Sequence, residues 1–178
     1  MERKTLILVI LRGIRLLFLV IILGLIASGA GGRAWYSGPI GNGAMIVHNQ
    51  LVEVNFPIAT WTRHKHYPGQ YFPLVSALVI FVITAFLFAI LFSKKNLQAQ
   101  KKLIIFYINV ACAILLLICA CLEAWYAAGG SEHYQYQTVH SVPSRYLVFR
   151  VNAWIAAVGF FILTLIDVAL DAYFTRCS

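Results

Sequence analysis

The sequence predicts an all-α integral membrane protein, a bundle of four transmembrane helices, and three observations carry that prediction. Of its 178 residues, 61% are hydrophobic and only 11% are charged, against about 25% charged in an average soluble domain. A domain of this size cannot bury that much apolar surface, so most of it must face lipid. Four long apolar runs are each sufficient for a hydrocarbon core about 30 Å thick, which takes about 20 helical residues. Finally, the basic residues collect at the ends of those runs. The scarcity of charge excludes disorder.

The first span covers about residues 5–32 and is apolar apart from Arg12 and Arg15. The stretch 16–30 is short for a crossing, so the helix is expected to begin earlier, with both arginines snorkelling to the headgroups. Its basic start and its Ala27-Ser28-Gly29-Ala30 end look like a signal peptide. The arginines interrupt the apolar stretch, however, and a retained helix is expected. The second span, 72–92, is free of charge and bounded by Pro68 and Pro73 before it and Lys94-Lys95 after it. The third, 103–128, is broken only by Glu123, and the fourth, 147–174, carries Asp167 and Asp171 near its end. The segments 33–71 and 129–146 form two loops on one side, 93–102 is a short loop on the other, and 175–178 is a tail. All belong to one membrane domain.

Lysine and arginine asymmetry orients such a bundle. With both termini and the short loop on one side, nine basic residues lie there (Arg3, Lys4, Arg12, Arg15, Lys94, Lys95, Lys101, Lys102 and Arg176) against five on the other (Arg33, Arg63, Lys65, Arg145 and Arg150). The richer side is expected to be cytosolic. The net charge of +8 then marks topology and offers anionic lipid a surface. It does not indicate nucleic-acid binding, because no folded basic module accompanies it.

The outer loops carry a β signal. Val52, Val54 and Phe56 alternate with Glu53 and Asn55, and Tyr134-Gln135-Tyr136-Gln137-Thr138-Val139 is rich in strand formers. A lone strand would leave its backbone unpaired, so the two loops are expected to join in a small sheet over the bundle. Trp35, Tyr36, Trp61, Tyr67, Tyr71, Phe72, Trp125, Tyr126 and Tyr146 crowd the same boundary as an interfacial aromatic belt.

Chemistry-bearing candidates are few. His64 and His66 in the first outer loop, with His133 and His140 in the second, could meet at a metal or act as pH-sensitive groups. No ligand spacing joins the clusters, so no metal site is assigned. Cys112, Cys119 and Cys121 lie within the third span and Cys177 at the cytosolic end. With no outer cysteine, thiol–disulfide exchange at that surface is excluded, and Cys177 is a candidate for lipidation. No hydrolase elbow, phosphate loop, HExxH helix or dinucleotide fingerprint occurs. No catalytic residue and no cofactor is expected, and the protein is not read as an enzyme.

The intramembrane charges are the sharpest feature, since each is costly unless paired. Arg12 and Arg15 are three residues apart on one helical face, and Asp167 and Asp171 four apart on another. Antiparallel packing of spans one and four would let them pair, while Glu123 is expected to reach Arg33 or Arg150.

Four spans, cytosolic termini and a first helix reading Leu11-Arg12-Gly13-Ile14-Arg15 through Leu23-Gly24-Leu25-Ile26-Ala27-Ser28 resemble the MARVEL-type tetraspan family. An acidic residue in the third span, Glu123, and the Ala124-Trp125-Tyr126-Ala127-Ala128 ending strengthen the likeness. The long first outer loop and the absence of outer cysteines depart from it, and the claudin and tetraspanin cysteine patterns are missing. The resemblance implies a non-enzymatic protein of membrane apposition, trafficking or lateral organisation, often oligomeric. A plasma or secretory-pathway membrane is expected, although a charge-biased bacterial or organellar inner membrane would look alike. An accessory subunit of a larger membrane complex is the alternative, and a small transporter or channel using the charged residues a further one.

Overall fold

The computed structural model describes residues 3–40, 45–55, 57–58, 68–92, 96–127, 134–139 and 142–176. Four long helices dominate: α1 (Arg3–Ser28), α2 (Tyr71–Phe92), α3 (Asn96–Ala127) and α4 (Asn152–Arg176). Each contains a stretch long and apolar enough to cross a membrane: Thr5–Ser28, Tyr71–Phe92, Lys102–Ala127 and Asn152–Arg176. Four strands accompany them, β1 (Gly32–Ile40), β2 (Met45–Val54), β3 (Tyr134–Val139) and β4 (Val142–Val151).

The helices form an up-and-down bundle in which each packs on its sequence neighbours and α1 also packs on α4. Pairing across α1 and α4 runs antiparallel, with Arg12 against Asp171, Arg15 against Asp167 and the start of α4 against the end of α1. The core is a central stack of Leu19, Ile22 and Ile26 from α1, Ala77 and Ile80 from α2, Leu116 and Cys119 from α3, and Ala157 and Phe161 from α4. The outward faces are as apolar as the core. Phe86 is 67% exposed, Val82 60% and Ile114 57%, a pattern that water would penalise and lipid accepts. The chain is therefore built as a multi-pass membrane protein.

Helix boundaries follow local chemistry. At the end of α1, Gly29 adopts a left-handed conformation (φ 49°) and its N–H donates to the carbonyl of Leu25 at 3.2 Å, a glycine C-cap. Gly31 is also left-handed (φ 69°), and a β-carbon there would crowd the Asn152 side chain at 3.2 Å. α1 therefore stops at Ser28 and β1 starts at Gly32, where the sequence suggested a helix to about residue 32. On α2, a 3₁₀ turn over Pro68–Gln70 leads into the helix, and Pro73 sits in its first turn, where its missing N–H costs nothing.

The strands form one antiparallel sheet in the order β2-β1-β4-β3. β1 and β4 are central, with Gly32 opposite Val151 and Tyr36 opposite Tyr146, while β1 also pairs β2 from Gly32–Val54 to Ile40–Met45. The two segments with the clearest strand pattern in the sequence fall in the edge strands, β2 and β3. The first half of β4 falls in the expected outer loop, and its second half, from residue 147, occupies the expected beginning of the fourth span. A continuous apolar run such as Tyr146-Leu147-Val148-Phe149 fits a helix or a buried strand equally by periodicity, and the ladder with β1 decides for the strand. α4 consequently starts at Asn152 instead of 147. α3 begins earlier than expected, at Asn96, because the Lys- and Gln-containing turns before residue 103 continue the same helix.

The sheet meets the bundle at the end away from the chain termini. There the N–H groups of Asn152 and Ala153 donate to the carbonyls of Gly31 and Ala30 at 3.3 and 3.1 Å. Asn55 Oδ1 accepts from Gly31 N at 3.1 Å, and the Trp154 indole N–H donates to the carbonyl of Ile26 at 3.3 Å. These bonds tie the end of α1, the start of α4 and the ends of β1 and β4 into one corner.

Candidate functional site

The helical rise places Arg12 and Arg15 about 10 and 15 Å into the apolar span of α1, and Asp171 and Asp167 about 8 and 14 Å from the end of α4. Antiparallel packing brings all four to one level. Arg12 donates from Nε to Asp171 Oδ2 at 3.0 Å and from Nη2 to Asp171 Oδ1 at 3.2 Å, a two-pronged contact that suits a planar guanidinium. Arg15 donates from Nε to Asp167 Oδ2 at 2.8 Å and from Nη2 to Asp171 Oδ2 at 2.9 Å. The remaining helices complete the layer: Arg12 Nη1 donates to the backbone carbonyl of Leu87 on α2 at 2.6 Å, and Arg15 Nη1 to Asn109 Oδ1 on α3 at 3.2 Å. The Thr175 hydroxyl donates to Asp171 Oδ1 at 3.0 Å.

Two cations and two anions make the layer neutral, and it touches all four helices. It is closed to solvent and lipid: both arginines are 1% exposed, Asp171 0% and Asp167 5%. Snorkelling, the expectation for α1 on its own, does not occur. Two carboxylates and two further acceptors inside the bundle satisfy the guanidinium groups at their own depth, so the side chains have no reason to climb to the headgroups.

Glu123 lies elsewhere, at the sheet end of α3. It is wholly buried, and its polar neighbour is Gln70, from the turn that precedes α2. Among the described residues neither carboxyl oxygen of Glu123 nor either amide atom of Gln70 has a hydrogen-bonding partner. The expected pairing with Arg33 is not formed, because Arg33 sits on β1 with its side chain exposed, and the alternative partner, the Arg150 side chain, lies outside the described ones. Glu123 points into the α2–α3 interface instead. Close by, Gly69 packs against the Tyr126 hydroxyl so tightly that any β-carbon would collide with it.

Between these two levels the bundle is closed by apolar side chains. Leu19, Ile22, Ile80, Leu116 and Phe161 are fully or almost fully buried there. Thr84 Oγ1 and Asn109 Nδ2 are further buried polar atoms without a partner among the described residues, and both sit toward the charge layer, on the opposite side of that plug from Glu123.

Of the other candidates, Cys112 and Cys119 are buried and Cys121 is exposed, all as free thiols. His64, His66, His133, His140 and Cys177 lie outside the described residues. Among the described residues no group of three or more metal-ligating side chains converges. In the aromatic set, Trp35, Phe72 and Trp125 are exposed while Tyr36 and Tyr126 are buried; Trp61 and Tyr67 lie outside the described residues. Two contributors had weak signals in the sequence. Asn109 is a single amide in an apolar run, and the Leu87 carbonyl is backbone with no residue-type signature at all. No family model matches the chain, and no curated sequence is significantly similar to it.

Proposed function

We propose that this protein is a non-enzymatic membrane organiser, a four-helix unit that self-associates or assembles with other membrane proteins. The observation that supports this reading is the neutral charge layer. Arg12, Arg15, Asp167 and Asp171 are consumed by one another, so the groups chemically able to bind substrate or move protons serve to hold the helices together. Above the layer the apolar plug separates them from Glu123. What the protein offers to other molecules is therefore its surface: lipid-facing helices and a sheet whose edge strands, β2 and β3, present backbone groups suited to pairing with another chain.

In this reading both termini and the loop between α2 and α3 face the cytosol, following the nine-to-five distribution of basic residues, and the sheet faces the opposite side of a plasma or secretory-pathway membrane. A likeness to MARVEL-type tetraspan proteins fits the same role. The accessory-subunit alternative uses the same surfaces with a different partner.

Purification in a gentle detergent followed by mass measurement of the intact assembly tests the proposal. A homo-oligomer or a fixed heteromeric complex is expected, and only identical subunits would sink the accessory-subunit alternative. A strictly monomeric protein at membrane-like concentration overturns the assembly role. Orientation is tested separately by labelling Asn55→Cys, in a background without the native cysteines, with a membrane-impermeant maleimide. Labelling from the non-cytosolic side is expected, and labelling from the cytosol reverses the topology.

A further inference from the structure

We propose that a groove between α3 and α4, at the end of the bundle where the termini lie, binds the phosphate of an anionic lipid headgroup. Lys102, Leu103, Phe106, Tyr107 and Arg176 line a cavity of about 320 Å³. Lys102 opens the apolar span of α3 and Arg176 closes that of α4, so both cations sit at one bilayer boundary, at the depth of lipid phosphates. Arg176 lies over the ring of Phe106, 5.5 Å from its centroid, which fixes the guanidinium through a cation–π contact and leaves its N–H edges available for acceptors. Leu103 and Tyr107 are 66% and 62% exposed and provide the lipid-facing wall along which a glycerol and acyl chain would run.

Charge favours the same ligand. The ion pairs among the described residues all belong to the buried layer, so Lys102 and Arg176 face this cavity without a carboxylate partner among those residues. Two cations over an aromatic floor suit a phosphate, which Arg binds through two parallel N–H bonds and Lys as a point charge. A lipid, unlike free phosphate, arrives already concentrated at this depth. The inference requires only that the bundle spans a bilayer, and it is independent of the assembly proposed above.

The test uses the full chain in nanodiscs of phosphatidylcholine doped with phosphatidic acid, released into a native mass spectrometer. Wild type is expected to retain phosphatidic acid in preference to phosphatidylcholine. Lys102→Gln and Arg176→Gln should each lower that retention about fivefold, and Phe106→Leu should lower it without any change in net charge. Arg33→Gln, which removes the same charge at the sheet end, should leave it unchanged. All four substitutions lie outside the charge layer, and an unchanged size-exclusion profile verifies the fold. Equal retention of the two lipids, or a loss in Arg33→Gln matching that in Lys102→Gln, overturns the site in favour of a diffuse charge effect. Displacement of bound phosphatidic acid by inorganic phosphate identifies phosphate as the recognised group, whereas inorganic phosphate binding without retention of the lipid overturns the lipid assignment.

Discussion

Asp171 and Asp167 have the same chemistry, one helical turn apart, yet the structure gives them unequal shares of the charge layer, and the inequality can be measured. Asp171 accepts three arginine N–H bonds, at 3.0, 3.2 and 2.9 Å, whereas Asp167 accepts one, at 2.8 Å. Removing one partner of a buried ion pair costs about 3–5 kcal/mol, and each hydrogen bond to a charged group contributes about 1.5–3 kcal/mol. Asp171→Asn, which keeps the volume, removes the charge and turns an N–H₂ toward the arginines, should cost about 4–5 kcal/mol. Asp167→Asn should cost about 2–3 kcal/mol. The difference of about 2 kcal/mol is roughly a 30-fold change in the unfolding equilibrium. Adding Arg12→Gln to Asp171→Asn restores neutrality and leaves Arg15 with Asp167, so about half of the loss should return. Adding Arg15→Gln to Asp171→Asn strands Arg12, whose carboxylate contacts are all to Asp171, and should return nothing. Equilibrium unfolding in mixed micelles, at one detergent composition for all variants, gives these numbers directly. Equal costs for the two single changes, or equal recovery in the two double variants, would refute the assignment of Asp171 as the hub.

Three other perturbations probe separate corners of the bundle by the same unfolding assay. Gly69→Ala drives a methyl group into the Tyr126 hydroxyl and should destabilise by about 1–3 kcal/mol, with Tyr126→Phe in that background returning part of the loss. Trp154→Phe deletes the bond to the Ile26 carbonyl and some buried volume; a cost of about 1–2 kcal/mol is expected, and an unchanged midpoint would show that the corner is held by the sheet alone. Glu123→Gln replaces a buried carboxyl, which has no cation beside it among the described residues, by a neutral amide of the same shape, so stability should hold or rise; a loss above about 1 kcal/mol would show that the carboxylate is ionised and partnered.

The apolar runs were legible because their signal is summed over some 20 residues each, and no single side chain could obscure it. The match between the Arg12/Arg15 and Asp167/Asp171 faces was legible for a similar reason: a three- or four-residue spacing defines a helical face whatever surrounds it. Depth and partner were not legible. Whether Arg15 points up to headgroups or inward to Asp167 depends on which helix stands beside α1, and spacing within α1 carries no information about that. Glu123 shows the same limit, since its neighbour Gln70 is distant in sequence and comes from a three-residue turn rather than from a helix. β4 (Val142–Val151) failed differently: the Leu147-Val148-Phe149 run is apolar enough to extend the fourth span, and only pairing with β1, more than a hundred residues away, distinguishes strand from helix.

The charge layer also constrains the order in which the bundle can close. Its ion pairs join the first helix to the last, across separations of 152 to 159 residues, so any assembly that inserts α1 before α4 must hold two arginines in or near lipid without their aspartates. Snorkelling answers that problem for a solitary helix: Arg12 and Arg15 lie about 10–15 Å inside the span, their long side chains reach part of the way to the interface, and local bilayer thinning and water defects cover the rest. The two descriptions of these arginines therefore apply to two states of one helix. Alone, α1 satisfies its charges at the surface, and beside α4 it satisfies them internally. The layer thus acts as a check on completion, since α1, α2 and α3 without α4 retain two uncompensated cations, and α4 alone retains two carboxylates in its final turns. Only an association that contains both α1 and α4 neutralises the four charges, which favours joining the first helix to the last over any partial association that lacks either of them.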